Sequence, residues 1–214
     1  MHDLTIPKYS LSEELINSIS HGIGAVLSIV ALIMCVAKSS TMDSLVSSIF
    51  YASFMIMLYT VSCIYHALSP KFILKKVMRI VDHSLVIFMV LGTYLPICFS
   101  LLSGKTISNI LIVILYIVSV IYITCNLINL EKFKFILLVC NVIIGWGILL
   151  LVNNIYNLCG GGAVFLLVFG GILYSIGAIL YAIGAKVKYM HSLFHFFVLA
   201  GSLFHFMFIY SYCI

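Results

Sequence analysis

From Leu15 to Tyr212 the chain is a succession of apolar runs, each long enough to cross a bilayer, with only short polar or glycine-rich breaks between them. A crossing helix needs about 20 predominantly apolar residues. Lipid offers no partners to backbone N–H and C=O groups, so such runs must satisfy them internally as helices. The pattern predicts an all-α polytopic membrane protein, a bundle of seven transmembrane helices. The expected spans are about 15–37, 44–68, 77–102, 107–130, 133–152, 163–185 and 190–212. They form one domain, 15–214, preceded by a tail of residues 1–14. Pro96 is expected to kink the third span near its end. A stripe of small residues in the sixth, including Gly171, Ser175, Ala178 and Ala182, reads as helix packing.

Composition excludes the other classes. Hydrophobic types make up 64% of the 214 residues and charged types 8%. An average soluble domain carries about 25% charged residues. So little charge cannot clothe a soluble core of this length, which excludes a soluble enzyme. Disorder needs low hydrophobicity and high net charge. The eleven Lys and Arg residues lie in small scattered groups and form no basic stripe, which argues against a nucleic-acid partner. The tail holds Asp3, Lys8, Glu13 and Glu14 and no apolar core, so the first run is expected to be a retained span and not a signal peptide.

Loop charge sets the expected orientation, because Lys and Arg accumulate on the cytoplasmic side. With the N-terminus inside, the inner segments hold Lys8, Lys71, Lys75, Lys76, Arg79, Lys132, Lys134, Lys186 and Lys188, and the outer loops only Lys38 and Lys105. The prediction is N-terminus inside and C-terminus outside, in the cell membrane. The seven cysteines show no C-x-x-C spacing and read as small apolar residues.

Ionisable residues inside spans are expensive and are functional candidates by default. His191 and His195 stand at i and i+4 at the start of the seventh span, which puts both imidazoles on one helix face. Such a pair arises readily by chance and is weak alone. Ser62 and His66 share the same spacing at the inner end of the second span, and Asp82 and His83 lie at the inner end of the third. Three spans thus bring candidates to one membrane depth. Three neutral imidazoles around Zn²⁺ leave a fourth position for water, the catalytic pattern, and lower the pKa of that water to about 7. Asp82 is the candidate base or water-orienter. Ser62 is the candidate donor to a substrate carbonyl. His21 lies at the right depth but is expected to be an interhelical hydrogen-bonder. His205 is too far along its helix for the same metal. His83 points away from Asp82, and Glu13, Glu14 and Asn17 read as caps or tethers of the first helix with no further role.

The same residues carry a family resemblance. Glu14-x-x-Asn17-x-x-Ser20-His21-Gly22-x-Gly24, Ser62-Cys63-Ile64-Tyr65-His66-Ala67, Asp82-His83, Gly92-Thr93-Tyr94-x-Pro96 and His191-Ser192-Leu193-Phe194-His195 resemble, in order and spacing, the bacterial hemolysin III proteins. These belong with the progestin and adiponectin receptors and, more widely, the alkaline ceramidases. The resemblance implies seven helices, an inner N-terminus and a zinc near the cytoplasmic face, held by His66, His191 and His195, with Asp82 and Ser62 as the family's Asp and Ser. Ser20 stands where Thr is usual, which keeps the hydroxyl.

Three functions follow as expectations. The first is a zinc-dependent hydrolase of lipid amide or ester bonds, with a membrane lipid as substrate. The second is a pore-forming haemolysin or cytolysin. The third is a sensor of membrane state with a structural zinc.

Overall fold

A computed structural model describes residues 4–214, and His2 and Asp3 of the tail lie outside them. The described chain is mostly helical from Leu11 onward, with no strand among the described residues. The helices are α1 Leu11–Lys38, α2 Met42–Ala67, α3 Ile73–Leu95, α4 Thr106–Trp146, α5 Val152–Cys159, α6 Gly161–Gly184 and α7 Met190–Phe208.

Local chemistry sets several ends. Ser10 and Glu13 form a capping box at the start of α1, and Thr41 and Ser44 do the same for α2. Pro96 ends α3, as a residue without an N–H should, and opens a π-helical turn over Pro96–Leu101. The sequence-expected kink is therefore a change of helix type.

Six helical stretches are long and apolar enough to cross a membrane, where the sequence reading expects seven. The difference lies in the stretch Thr106–Cys159, which runs through 54 residues as one apolar tract. A straight helix of that length would measure about 80 Å, against a hydrocarbon core of about 30 Å. It is not straight. Asn129 leaves helical geometry at φ −162°, ψ 90°. Across that break Asn141 Nδ2 donates to Tyr122 Oη at 2.9 Å. The same separation along one continuous helix would be about 28 Å. The chain thus doubles back at Asn129.

Burial is inverted relative to a soluble protein. Ile33, Ile114, Ile117, Ile121 and Phe165 are exposed, while Asn17, Ser48, Ser62, Asn126 and Ser202 are buried. Exposed apolar faces on this scale suit lipid, and buried hydroxyls and amides join helices inside it. Asn126, for example, donates to Ile80 O and to Ser84 Oγ, tying α4 to α3. The molecule is a multi-pass membrane protein. All seven cysteines are free.

Candidate metal centre and apolar cavity

α2 and α7 supply the centre, and α1 braces it. His191 and His195 occupy successive turns of α7, and His66 faces them from the last turn of α2. All three are at least 93% buried. His191 Nε2 lies 3.4 Å from His66 Nε2 and 3.3 Å from His195 Nε2. One nitrogen from each ring thus faces a common point, and the three ligand atoms lie within 4.8 Å of one another.

The partners on the other side of the rings decide what those nitrogens can do. Glu14 Oε2 lies 2.7 Å from His66 Nδ1. An ionised carboxylate only accepts, so Nδ1 carries the proton and Nε2 presents a lone pair. Ser20 Oγ donates to Asn17 O at 3.0 Å and lies 3.4 Å from His195 Nδ1. Its lone pair accepts from that Nδ1–H, which again leaves Nε2 bare. His191 Nε2 can donate to only one of these two neighbours. A cation at the common point satisfies all three, so this donor set fits a metal ion.

Glu14 also accepts from Lys75 Nζ at 2.5 Å, and Asn17 Nδ2 lies 3.4 Å from His66 Nδ1. Glu13 Oε1 accepts from the backbone N–H of Tyr189 at 2.8 Å, one residue before α7 begins. Tyr189 has φ +63°, the left-handed region, and this bond helps to hold it there. Glu13, Glu14 and Asn17 are expected to cap or tether the first helix, and Glu13 and Glu14 do tether it: they tie α1 to both histidine-bearing helices.

Ser62, Asp82, His191 and His195 line one cavity of about 1390 Å³, counting its open mouth. Ser62 and Asp82 stand together in its wall. Beyond them the walls are apolar, with Leu58, Met89, Val142, Leu167 and Val198 among them. His205 lines the far end, donating from Nε2 to Leu167 O at 3.2 Å. From His191 to His205 the helix rises about 21 Å. The cavity is thus long and mostly apolar, with Ser62, Asp82, His191 and His195 at one end and other polar groups such as Asn141, Ser175 and His205 elsewhere along it.

Two other histidines differ from expectation. His21 makes no hydrogen bond between helices. Its ring stacks on His195 with centroids 3.7 Å apart, and neither nitrogen has a partner among the described residues. His83 shares the cavity with Asp82. Its Nδ1 lies 2.9 Å from Arg79 O, and its Nε2 lies 2.9 Å from Tyr181 Oη. The carbonyl accepts from Nδ1–H, so Nε2 accepts from the Tyr181 hydroxyl.

The glycines of α6 are contact points. A Cβ on Gly184 would lie 2.9 Å from His191 N, and one on Gly170 would lie 2.4 Å from His205 Cδ2. Gly170, Gly177 and Gly184 therefore let α7 lie close enough to place its histidines, while Gly171 and Ser175 of the expected stripe meet Trp146 of α4 and line the cavity.

Comparison with known proteins agrees with this architecture. The model of the family described as haemolysin-III related matches residues 9–206. The chain belongs to that family. Its haemolysin-III relatives include the Hemolysin-3 homolog of Bacillus subtilis (strain 168), 32% identical over 209 residues, covering 96% of this chain and 97% of the relative. Hemolysin-3 of Bacillus cereus is 33% identical over 196 residues, covering 90% of this chain and 88% of the relative. The matched haemolysin-III segment contains Glu14, Ser62, His66, Asp82, His191 and His195.

Proposed function

We propose that this haemolysin-III-family protein is a zinc-dependent intramembrane hydrolase of lipid amide or ester bonds. The observation that carries the reading is the convergence of three histidine nitrogens, two pairs of them 3.3 and 3.4 Å apart and all within 4.8 Å of one another, at one end of a long apolar cavity. Zn–N bonds of about 2.0–2.1 Å in a tetrahedron place ligand nitrogens about 3.3–3.4 Å apart. Zinc held by His66, His191 and His195 would supply Lewis acidity where the cavity turns polar.

The chain's own groups perform the rest. The apolar walls take an acyl chain and exclude water from it, leaving the carbonyl at the polar end. The Asp82 carboxylate takes the proton of the attacking water and later gives it to the leaving amine or alcohol. Ser62, beside Asp82 in the same cavity, donates a hydrogen bond to the substrate carbonyl. Glu14 and Ser20 hold their histidines in the tautomer that keeps Nε2 free.

The topology proposed with this reading has seven crossings. The fold-back at Asn129 divides the long tract into the spans 107–130 and 133–152, and the nine-to-two distribution of basic residues supports an inner N-terminus. The metal centre then lies toward the cytoplasmic face.

The test is turnover by the purified protein in lipid nanodiscs. Fluorogenic acyl amides and acyl esters should be cleaved by the wild type with zinc, and not by His195→Ala. Absence of cleavage across both bond types would sink the hydrolase reading. The relatives' name, Hemolysin-3, supports a second reading, lysis by a pore, and dye leakage from liposomes holding only this protein separates it from hydrolysis.

A further inference from the structure

A second cavity, of about 500 Å³ counting its mouth, adjoins the first. Lys134, Leu138 and Tyr181 line both. Arg79 and Tyr9 complete its polar lining. Two cations of its lining, Arg79 and Lys134, share the one carboxylate of Glu131.

Arg79 also keeps a donor without a partner among the described residues. The residue is 3% exposed. Its Nη1 donates to Thr5 O at 2.5 Å and to Glu131. That uses both hydrogens of Nη1. Nε is buried and has no partner among the described residues. Nε–H and the adjacent Nη2–H form the side-on edge of the guanidinium, the edge that grips two oxygens of an oxyanion. A buried donor on a charged group is costly to leave without an acceptor. Lys134 is 42% exposed and has ammonium hydrogens beyond the one given to Glu131. Tyr181 spends its proton on His83, so recognition of an anion falls to Arg79 and Lys134.

We propose that this pocket binds phosphate, as the head of a single-chain phosphate-bearing lipid whose acyl chain lies in the main cavity. Two cations sharing one carboxylate, and a guanidinium edge whose Nε has no partner among the described residues, suit a phosphate, and basic pockets between membrane helices are a recurrent way to hold such heads. The shared lining by Lys134, Leu138 and Tyr181 sets the head beside the chain. The assignment rests on the lipid-filled cavity proposed above but not on turnover.

The experiment is native mass spectrometry of the zinc-loaded full chain, titrated with three probes: a monoacylglycerol phosphate, the same monoacylglycerol without phosphate, and inorganic phosphate. The phosphate lipid should bind at least about tenfold more tightly than its uncharged counterpart. Lys134→Gln, at a half-exposed site that tolerates change, should erase most of that difference. Arg79→Lys, which keeps the charge and loses the edge, should do the same. Lys71→Gln, outside the pocket, should leave it unchanged. Equal affinity for the two lipids, or full discrimination by Lys134→Gln, overturns the site. Displacement by inorganic phosphate at the lipid's own concentration overturns the lipid assignment. Binding without cleavage of any acyl bond supports this site and counts against the hydrolase alone. Cleavage without preference for the phosphate lipid does the reverse.

Discussion

His66 Nδ1 lies 2.7 Å from Glu14 Oε2, and that contact selects the nitrogen of His66 that can hold a metal. Glu14→Gln replaces an obligate acceptor with a group that can also donate, so the ring is no longer held in one tautomer. Metal affinity should fall by about 10–100-fold, the usual effect of losing an orienting partner. Competition with a calibrated chelator measures it. Affinity equal to wild type would show that Glu14 serves only its bond to Lys75.

Gly184 is where α6 approaches the backbone of His191 most closely. A side chain there meets backbone atoms at 2.9 and 3.1 Å, which cannot swing aside. Gly184→Val should cost about 1–3 kcal/mol of stability and lower metal occupancy with it. Gly145→Ala, with nothing within 4 Å of the new atom, should stay within about 0.5 kcal/mol of wild type. Thermal melting and metal content of the two variants form the comparison. A Gly184→Val protein with normal melting and full metal would remove the packing argument.

Asp82 and Ser62 share the cavity with His191 and His195 but are not in the cluster of three. Asp82→Asn should keep its metal and lose about 10²–10⁴-fold in acyl hydrolysis, the range for a missing general base. Ser62→Ala should also keep the metal, with a smaller loss in rate. Hydrolysis by Asp82→Asn at the wild-type rate would take the carboxylate out of the mechanism.

Removing the metal should expose its contribution to folding. A ligand present at a thousandfold over its Kd stabilises by about 4 kcal/mol. Chelation should therefore lower the melting temperature of wild type and leave His195→Ala unmoved. An equal shift in both proteins would mean that the chelator acts elsewhere.

Much of this was legible in the chain. Long apolar runs have one solution in lipid, so the helical class follows from length and hydropathy alone. His191 and His195 declare themselves by helical spacing, and His66 by its place at the end of an apolar run. The partners of the histidines were harder to see. Glu14, Asn17 and His21 recur at helical spacing on one face of α1, a signal that was present but reads equally well as a cap. Glu13 meeting the N–H of Tyr189 depends on how α1 lies against the start of α7, which no local pattern encodes. The stacking of His21 on His195 is similar: a lone histidine in a span predicts a hydrogen bond, and only packing reveals a ring contact. The fold-back at Asn129 falls next to the boundary that hydropathy and charge set between the expected spans 107–130 and 133–152, although helix resumes at once on the far side.

The central claim is a metal held by His66, His191 and His195, and elemental analysis of the detergent-purified protein tests it most directly. Wild type should carry about one zinc per chain, His191→Ala none, and Asp82→Asn the wild-type amount. Wild type that remains metal-free after reconstitution with zinc, or His191→Ala that keeps a full complement, would contradict the account.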